Sequence, residues 1–155
     1  MFSSTKAGHL AHILATSLLG QVAGNELVPP DPDKIEQYGH LIIQALARWL
    51  GDPVLRLTGR PIITECYRSP ERQEELYKQG RSKPGPIVTY KRGGESKHNK
   101  LPTPALDVAF ILPDGEVSWS GLLLSKFARL MKAADARVRW GGDWPGFKDR
   151  PHFEV

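Results

Sequence analysis

An α+β domain, with a small antiparallel sheet flanked by helices, is the fold class this sequence predicts. Three observations carry the prediction. Apolar residues recur at helical spacing in widely separated stretches. Between them lie short runs of strand character, in the order helices, strand, helix, loop, strand, helix, strand, strand. The 155 residues hold no internal repeat, so they form one domain with room for one hydrophobic core.

Residues 1–55 predict helices. In "MFSSTKAGHLAHILATSLLGQVAG", Leu10, Ile13, Leu14 and Leu18 fall on one helical face. His9 and His12 interrupt the apolar run and Lys6 is its only charge, so an amphipathic helix fits better than a signal peptide. After the connector "VPPDPDKIEQYG", Asp33 and Glu36 have capping-box spacing. Ile35, Tyr38, Ile42, Ala45, Leu46 and Trp49 then make an apolar face that Gly51 ends.

Residues 60–155 carry the chemistry. "RPIITECY" predicts a strand, followed by a helix with Ser69 as N-cap, Pro70 at its first position and Gly80 past its end. Arg68 sits at that strand-to-helix corner. Residues 81–104 form a long Gly- and Pro-rich loop, a length that in compact domains usually serves function. "ALDVAF" alternates, with Leu106, Val108 and Phe110 on one face and Ala105, Asp107 and Ala109 on the other. The two alanines leave space around the carboxylate. "LPDGEV" is a tight turn, and a helix over 120–134 places Leu123, Phe127, Leu130, Met131 and Ala134 on its core side. "RVRWGGDWPGFKDRPHFEV" then predicts a strand, an irregular loop and a short final strand.

Composition bounds the function. Apolar content of 40% argues against disorder, and the single Cys66 rules out an intrachain disulfide, the thiol being an inert buried one. No stretch approaches the ~20 apolar residues of a membrane span, so a soluble chain without an export signal and without stable membrane insertion is expected. A net charge of +4 and a pI near 9.3 favour anionic partners, an acidic cell-wall polymer among them. Arg81, Lys83, Lys91, Arg92, Lys97 and Lys100 face one acid, Glu95, in a run that fits a solvated loop or an anionic docking surface. Nucleic acid is not expected, for no zinc finger or helix-turn-helix pattern is present.

His98, Asp107 and His152 are zinc-binding residue types at or near strand positions. Two imidazoles and a carboxylate are a usual donor set for catalytic zinc, with the fourth position left for water. Asp149, three residues before His152, is close enough to act as a base on that water. Glu154, on the same strand face as His152, is its rival for that role. Neither HExxH nor CxxC occurs, and His9, His12 and His40 fit structural or exposed positions. Asp143 fits a structural acceptor, while Trp140, Trp144 and Phe147 fit either core packing or a cleft wall.

Three blocks in order, "CYRSPERQEELYKQG", "SKHNKLPTPALDVAF" and "WGGDWPGFKDRPHFEV", resemble the M15 peptidases, which include D-Ala-D-Ala carboxypeptidases and L-alanyl-D-glutamate endopeptidases. The likeness runs over roughly residues 60–155 and is strongest to the phage endolysin branch; the first 55 or so residues match no motif. It implies a Hedgehog/DD-peptidase-like fold and a Zn²⁺ cofactor held by His98, Asp107 and His152. Asp149 becomes the catalytic base, Arg68 the residue facing the oxyanion, and Ser96 a substrate-binding or loop-steadying residue. Arg68 also has the simpler option of pairing with a nearby acid, and Ser96 of merely shaping a turn. One departure stands out. Many family members place the Asp seven residues after the His; here the interval is nine, with "KLPTP" lying in it, a lengthening that reshapes the site's rim.

The activity so implied is zinc-dependent hydrolysis of peptidoglycan stem peptides, at the L-Ala–D-Glu bond, by a monomer. Its rivals are a D-Ala-D-Ala carboxypeptidase using the same site and a non-catalytic zinc-containing binding module. A lytic enzyme of this type is expected to be made in the host cytoplasm and to act at the cell wall or periplasm.

Overall fold

The structure, a computed structural model, describes residues 44, 45 and 47–155. The first predicted helix, the Asp33–Glu36 cap, and His9, His12 and His40 lie outside the described residues. Helical residues 47–51 lead into a one-turn helix α1 (Leu55–Thr58) that the sequence reading did not anticipate. Ala45 and Trp49 are fully buried, as the predicted apolar face requires.

The sheet is antiparallel and its order is β1 (Arg60–Glu65), β2 (Ala105–Ile111), β5 (His152–Glu154), β4 (Arg139–Trp140), with β3 (Val117–Ser118) paired to the far end of β2. Helix α2 (Pro70–Lys78) follows β1 and helix α3 (Gly121–Ala134) follows β3. This is the predicted α+β architecture with one strand more. β3 is two residues long, too short to show a period, and exists because the turn at Asp114 and Gly115 folds the chain back onto β2.

Caps set the helices. The Ser69 hydroxyl accepts from the Arg72 amide, Pro70 opens α2, and Gly80 takes the positive φ of 74° that follows its end. In α3 the buried stripe is Leu123, Leu124, Phe127, Ala128 and Met131. The stripe is turned slightly from the predicted one, so Leu124 and Ala128 enter the core while Leu130 and Ala134 are only half-buried.

The core lies between α3 and one face of β2. Leu106, Val108, Phe110 and Phe153 meet Trp49 and the α3 stripe. Ring centroids stand 4.8 Å apart for Trp49–Phe110, 6.1 Å for Phe110–Phe127 and 5.9 Å for Phe127–Phe153, in the tilted and edge-on arrangements that aromatic quadrupoles favour. The Trp49 indole N–H donates to the Gly59 carbonyl at 2.9 Å, so its one polar group is not left dry.

Candidate active site

Sheet register assembles half the site. Asp107 on β2 pairs with His152 on β5, and paired residues of antiparallel strands point to one face. Ala105 pairs with Glu154, so Glu154 joins them there. On the other side a bulge between Ile63 and Glu65 shifts the register and brings Glu65 opposite Asp107. Without the bulge Glu65 would not share the face of Asp107.

His98 arrives from the long loop on a 3-10 turn, Lys97–Asn99. Ser96 caps it: its hydroxyl oxygen accepts from the His98 amide at 3.2 Å, and Asn99 Oδ1 accepts from the Ser96 amide at 3.1 Å. The turn is fastened to the corner after β1 by the Arg68 amide donating to the His98 carbonyl at 2.9 Å and Asn99 Nδ2 donating to the Arg68 carbonyl at 2.8 Å. Four hydrogen bonds thus hold a histidine that sits on neither α-helix nor strand.

Three ligand atoms converge. His98 Nε2 lies 3.0 Å from His152 Nδ1 and 3.3 Å from Asp107 Oδ1, and His152 Nδ1 lies 3.2 Å from Asp107 Oδ1. A tetrahedral ion with bonds of about 2.0–2.1 Å requires ligand atoms about 3.3–3.4 Å apart, so this triangle fits one ion with little adjustment. The far ring nitrogens are also committed. His98 Nδ1 stands 2.6 Å from the Cys66 carbonyl, which only accepts, so Nδ1 carries the proton and Nε2 is free to ligate. His152 Nε2 stands 3.2 Å from Glu154 Oε2, which fixes the opposite tautomer and turns Nδ1 toward the cluster. Each imidazole is aimed from behind, the arrangement that metal-ligating histidines need.

Charge in the pocket is tightly balanced. Burial works against ionisation of Asp107, but hydrogen bonds and charge from His152 and His98 override it and hold the carboxyl well below its ordinary value. Burial likewise disfavours the charged form of His152, yet Asp107 beside it raises its pKa above the usual imidazole value. Asp149 is pushed up by burial and then by the negative charge of Asp107, against the positive pull of His152, His98 and Arg68. Burial pushes the Cys66 thiol up to about 12, in keeping with the inert thiol expected.

Asp149 belongs to a loop pinned by its own backbone. Its amide donates to the Gly141 carbonyl at 3.0 Å, and its carbonyl accepts from the His152 amide at 3.2 Å. A Cβ at Gly141 would stand 2.2 Å from the Asp149 carbonyl oxygen, so only glycine permits this approach. Trp144, from the same loop, lays its ring 5.2 Å from that of His152.

Arg68 pairs with acids, as its simpler option had it, and points at the site as well. Its Nη2 bonds Glu65 and lies 3.6 Å from Asp107 Oδ2, while Nη1 donates to Gln73 Oε1 at 2.7 Å. Its Nε is buried without a partner. Asp143 is outside the cluster and pairs with Lys132. The cationic loop is partly neutralised by acids of α2, with Arg92 on Glu74 and Lys83 on Glu75. Sequence reasoning missed Glu65 and Gln73. It weighed Glu154 only as a base, whereas the carboxylate stands behind His152 on the ring edge away from Asp107; its position two residues along the strand was the available signal.

Among the described residues this is the one set of three groups able to share an ion. Residues 90–155 match the model of an M15 peptidase family described as D-alanyl-D-alanine carboxypeptidase. The chain is 46% identical over 101 residues to the peptidoglycan L-alanyl-D-glutamate endopeptidase CwlK of Bacillus subtilis (strain 168), an alignment covering 61% of this chain and 59% of that protein. It therefore spans about three-fifths of that relative's length. The crystal structure of the Serratia marcescens L-Ala D-Glu endopeptidase ChiX matches with a TM-score of 0.53 at 28% identity, over 81% of this chain and 79% of that one. The α+β fold with its small antiparallel sheet is common to both structures.

Proposed function

We propose, on the premise that residues 90–155 belong to the M15 peptidase family, that this chain is a zinc-dependent peptidase cutting peptidoglycan stem peptides between L-Ala and D-Glu. The observation that carries the reading is the convergence of His98 Nε2, Asp107 Oδ1 and His152 Nδ1 beside a carboxyl, Asp149, whose pKa is raised. Two neutral imidazoles and one carboxylate suit zinc better than the oxygen-loving calcium or magnesium. When bound, zinc would polarise the scissile carbonyl and acidify water at the site.

The chain's own residues supply the rest. Asp149 accepts a proton from the attacking water on its carboxylate and hands it to the leaving amine, a role its raised pKa suits. Arg68 brings positive charge to the developing oxyanion, where one such donor is worth roughly 3–4 kcal/mol. Ser96 steadies the turn presenting His98 and keeps its hydroxyl proton for the substrate. Glu154 and the Cys66 carbonyl hold the two imidazoles in ligating tautomers. The basic balance of the chain suits an anionic wall polymer and an action at the cell wall, in lysis. No helix of the described residues is long and apolar enough to cross a membrane.

The description of the matched family favours a second reading, removal of a terminal D-Ala. Mass spectrometry of purified peptidoglycan digested with and without chelator separates the two. Stem peptides with a new N-terminal D-Glu, lost on chelation, are the expected product. Free D-Ala alone would establish the carboxypeptidase, digestion indifferent to chelator would sink the metal reading, and an intact wall would leave a binding module.

A further inference from the structure

Gln73 has the burial of a core residue and the bonds of a site residue. It is 0% exposed and is the one buried side chain of α2. A primary amide offers two N–H donors and one oxygen, and all are used. Nε2 donates to Thr89 Oγ1 at 3.1 Å and to the Lys91 carbonyl at 2.8 Å, while Oε1 accepts from Arg68 Nη1 at 2.7 Å. One side chain therefore joins the guanidinium beside the ligand cluster to a loop 16 to 18 residues further along the chain.

The joined loop, here the rim, runs between α2 and the segment that leads to Asp149. It lies close along α2: the Gly93 amide donates to Glu74 Oε2 at 3.0 Å, and a Cβ at Gly93 would come within 2.5 Å of the Pro70 carbonyl oxygen. Between Thr89 and Lys91 stands Tyr90, whose ring meets that of Phe147 edge-on at 5.2 Å. Phe147 precedes Asp149 by two residues. A buried amide left unsatisfied is costly, so neither end of the Gln73 bridge moves without the other.

We propose that Gln73 is a positioning residue that sets the Arg68 guanidinium and the 89–91 rim together, as one unit. The kinetic part of this rests on the peptidase reading; the structural part does not. Two measurements keep them apart. In the first, kcat and KM on a stem peptide are measured for Gln73→Ala, Arg68→Ala and the double variant. Gln73→Ala is expected to lower kcat by about 10- to 10²-fold, the cost of misplacing a group near the chemistry. In the Arg68→Ala background the same change should cost less than about twofold, because its route to the reaction is gone. Gln73→Glu keeps an oxygen for Arg68 but sets a carboxylate against the Lys91 carbonyl, and should raise KM while sparing most of kcat. Multiplicative losses in the double variant would overturn the proposal.

The second measurement, hydrogen exchange across residues 81–95 of the zinc-loaded chain without substrate, needs no activity. Exchange should quicken in Gln73→Ala, and unchanged protection would overturn the proposal. Thr89→Val, which removes a rim acceptor at nearly constant volume, substitutes if Gln73→Ala does not fold. Should no stem peptide be cut at all, the proposed activity falls while the exchange result still decides the role of Gln73.

Discussion

The two faces of β2 are held by opposite means. On one, Leu106, Val108 and Phe110 pack against Trp49 and α3, with no charge among them. On the other, Asp107 stands between two alanines and is surrounded by His98, His152, Glu65 and Arg68. The first face derives its strength from area removed from water, with no need of a partner's charge. The second gains little from packing, and each group there depends on a partner's charge or proton. The strand's stability and its chemistry are thus separated by the width of one backbone.

That separation is open to breakage. The largest effect is expected from Asp149→Asn, which should slow turnover by about 10²–10⁴-fold, as loss of a general base does, with metal content and thermal stability unchanged. Turnover near the native rate would remove Asp149 as base. Phe110→Ala should act in reverse, losing about 3–5 kcal/mol of stability in urea titrations while the folded fraction binds metal normally. A comparable loss of metal affinity in that variant would show the faces to be coupled.

Glu154→Gln, which weakens the grip on His152 Nε2 and keeps its size, should cost about 10- to 100-fold in zinc affinity by competition titration. Unaltered affinity would mean that packing against Trp144 alone aims the ring. The proton on His152 competes with the metal, and its pKa lies above the ordinary 6.5 because Asp107 offsets the burial that would lower it. Zinc affinity should accordingly rise with pH through a midpoint above that value. The metal-free protein should show the converse: stability from the His152–Asp107 pair, full below pH 6.5, fades as pH climbs through the raised value. A flat affinity profile would contradict both. The smallest effect belongs to Glu75→Gln on exposed α2, with no resolvable change in melting temperature at neutral pH. Lys78 and Lys83 hold Glu75 down to about 2, so whatever it contributes is present above pH 4.5 and vanishes as pH falls toward 2.

Much of this was legible in the residues. The limits of α2 are written in Ser69, Pro70 and Gly80, and the two faces of β2 in its alternation, because both signals are local. The candidate ligand set came from the likeness of three sequence blocks to a family, and not from spacing, since an interval of nine residues does not dictate where His98 lies. The bulge that turns Glu65 toward Asp107, and the burial of Gln73, left no mark in the sequence. Each depends on which strand or loop arrives opposite, a long-range matter that neither period nor composition encodes.

The glycine beneath Asp149 has a consequence for how such a cleft can diversify. Because the chain is clasped at Gly141 and again at His152, the segment between them is an arch standing on two fixed feet. Its crown, around Pro145 and Gly146, is free to lengthen or change composition while the acid at its foot keeps its bearing. The crown of the arch and the acid at its foot can therefore be altered separately, provided that nothing larger than a hydrogen atom is placed on Gly141.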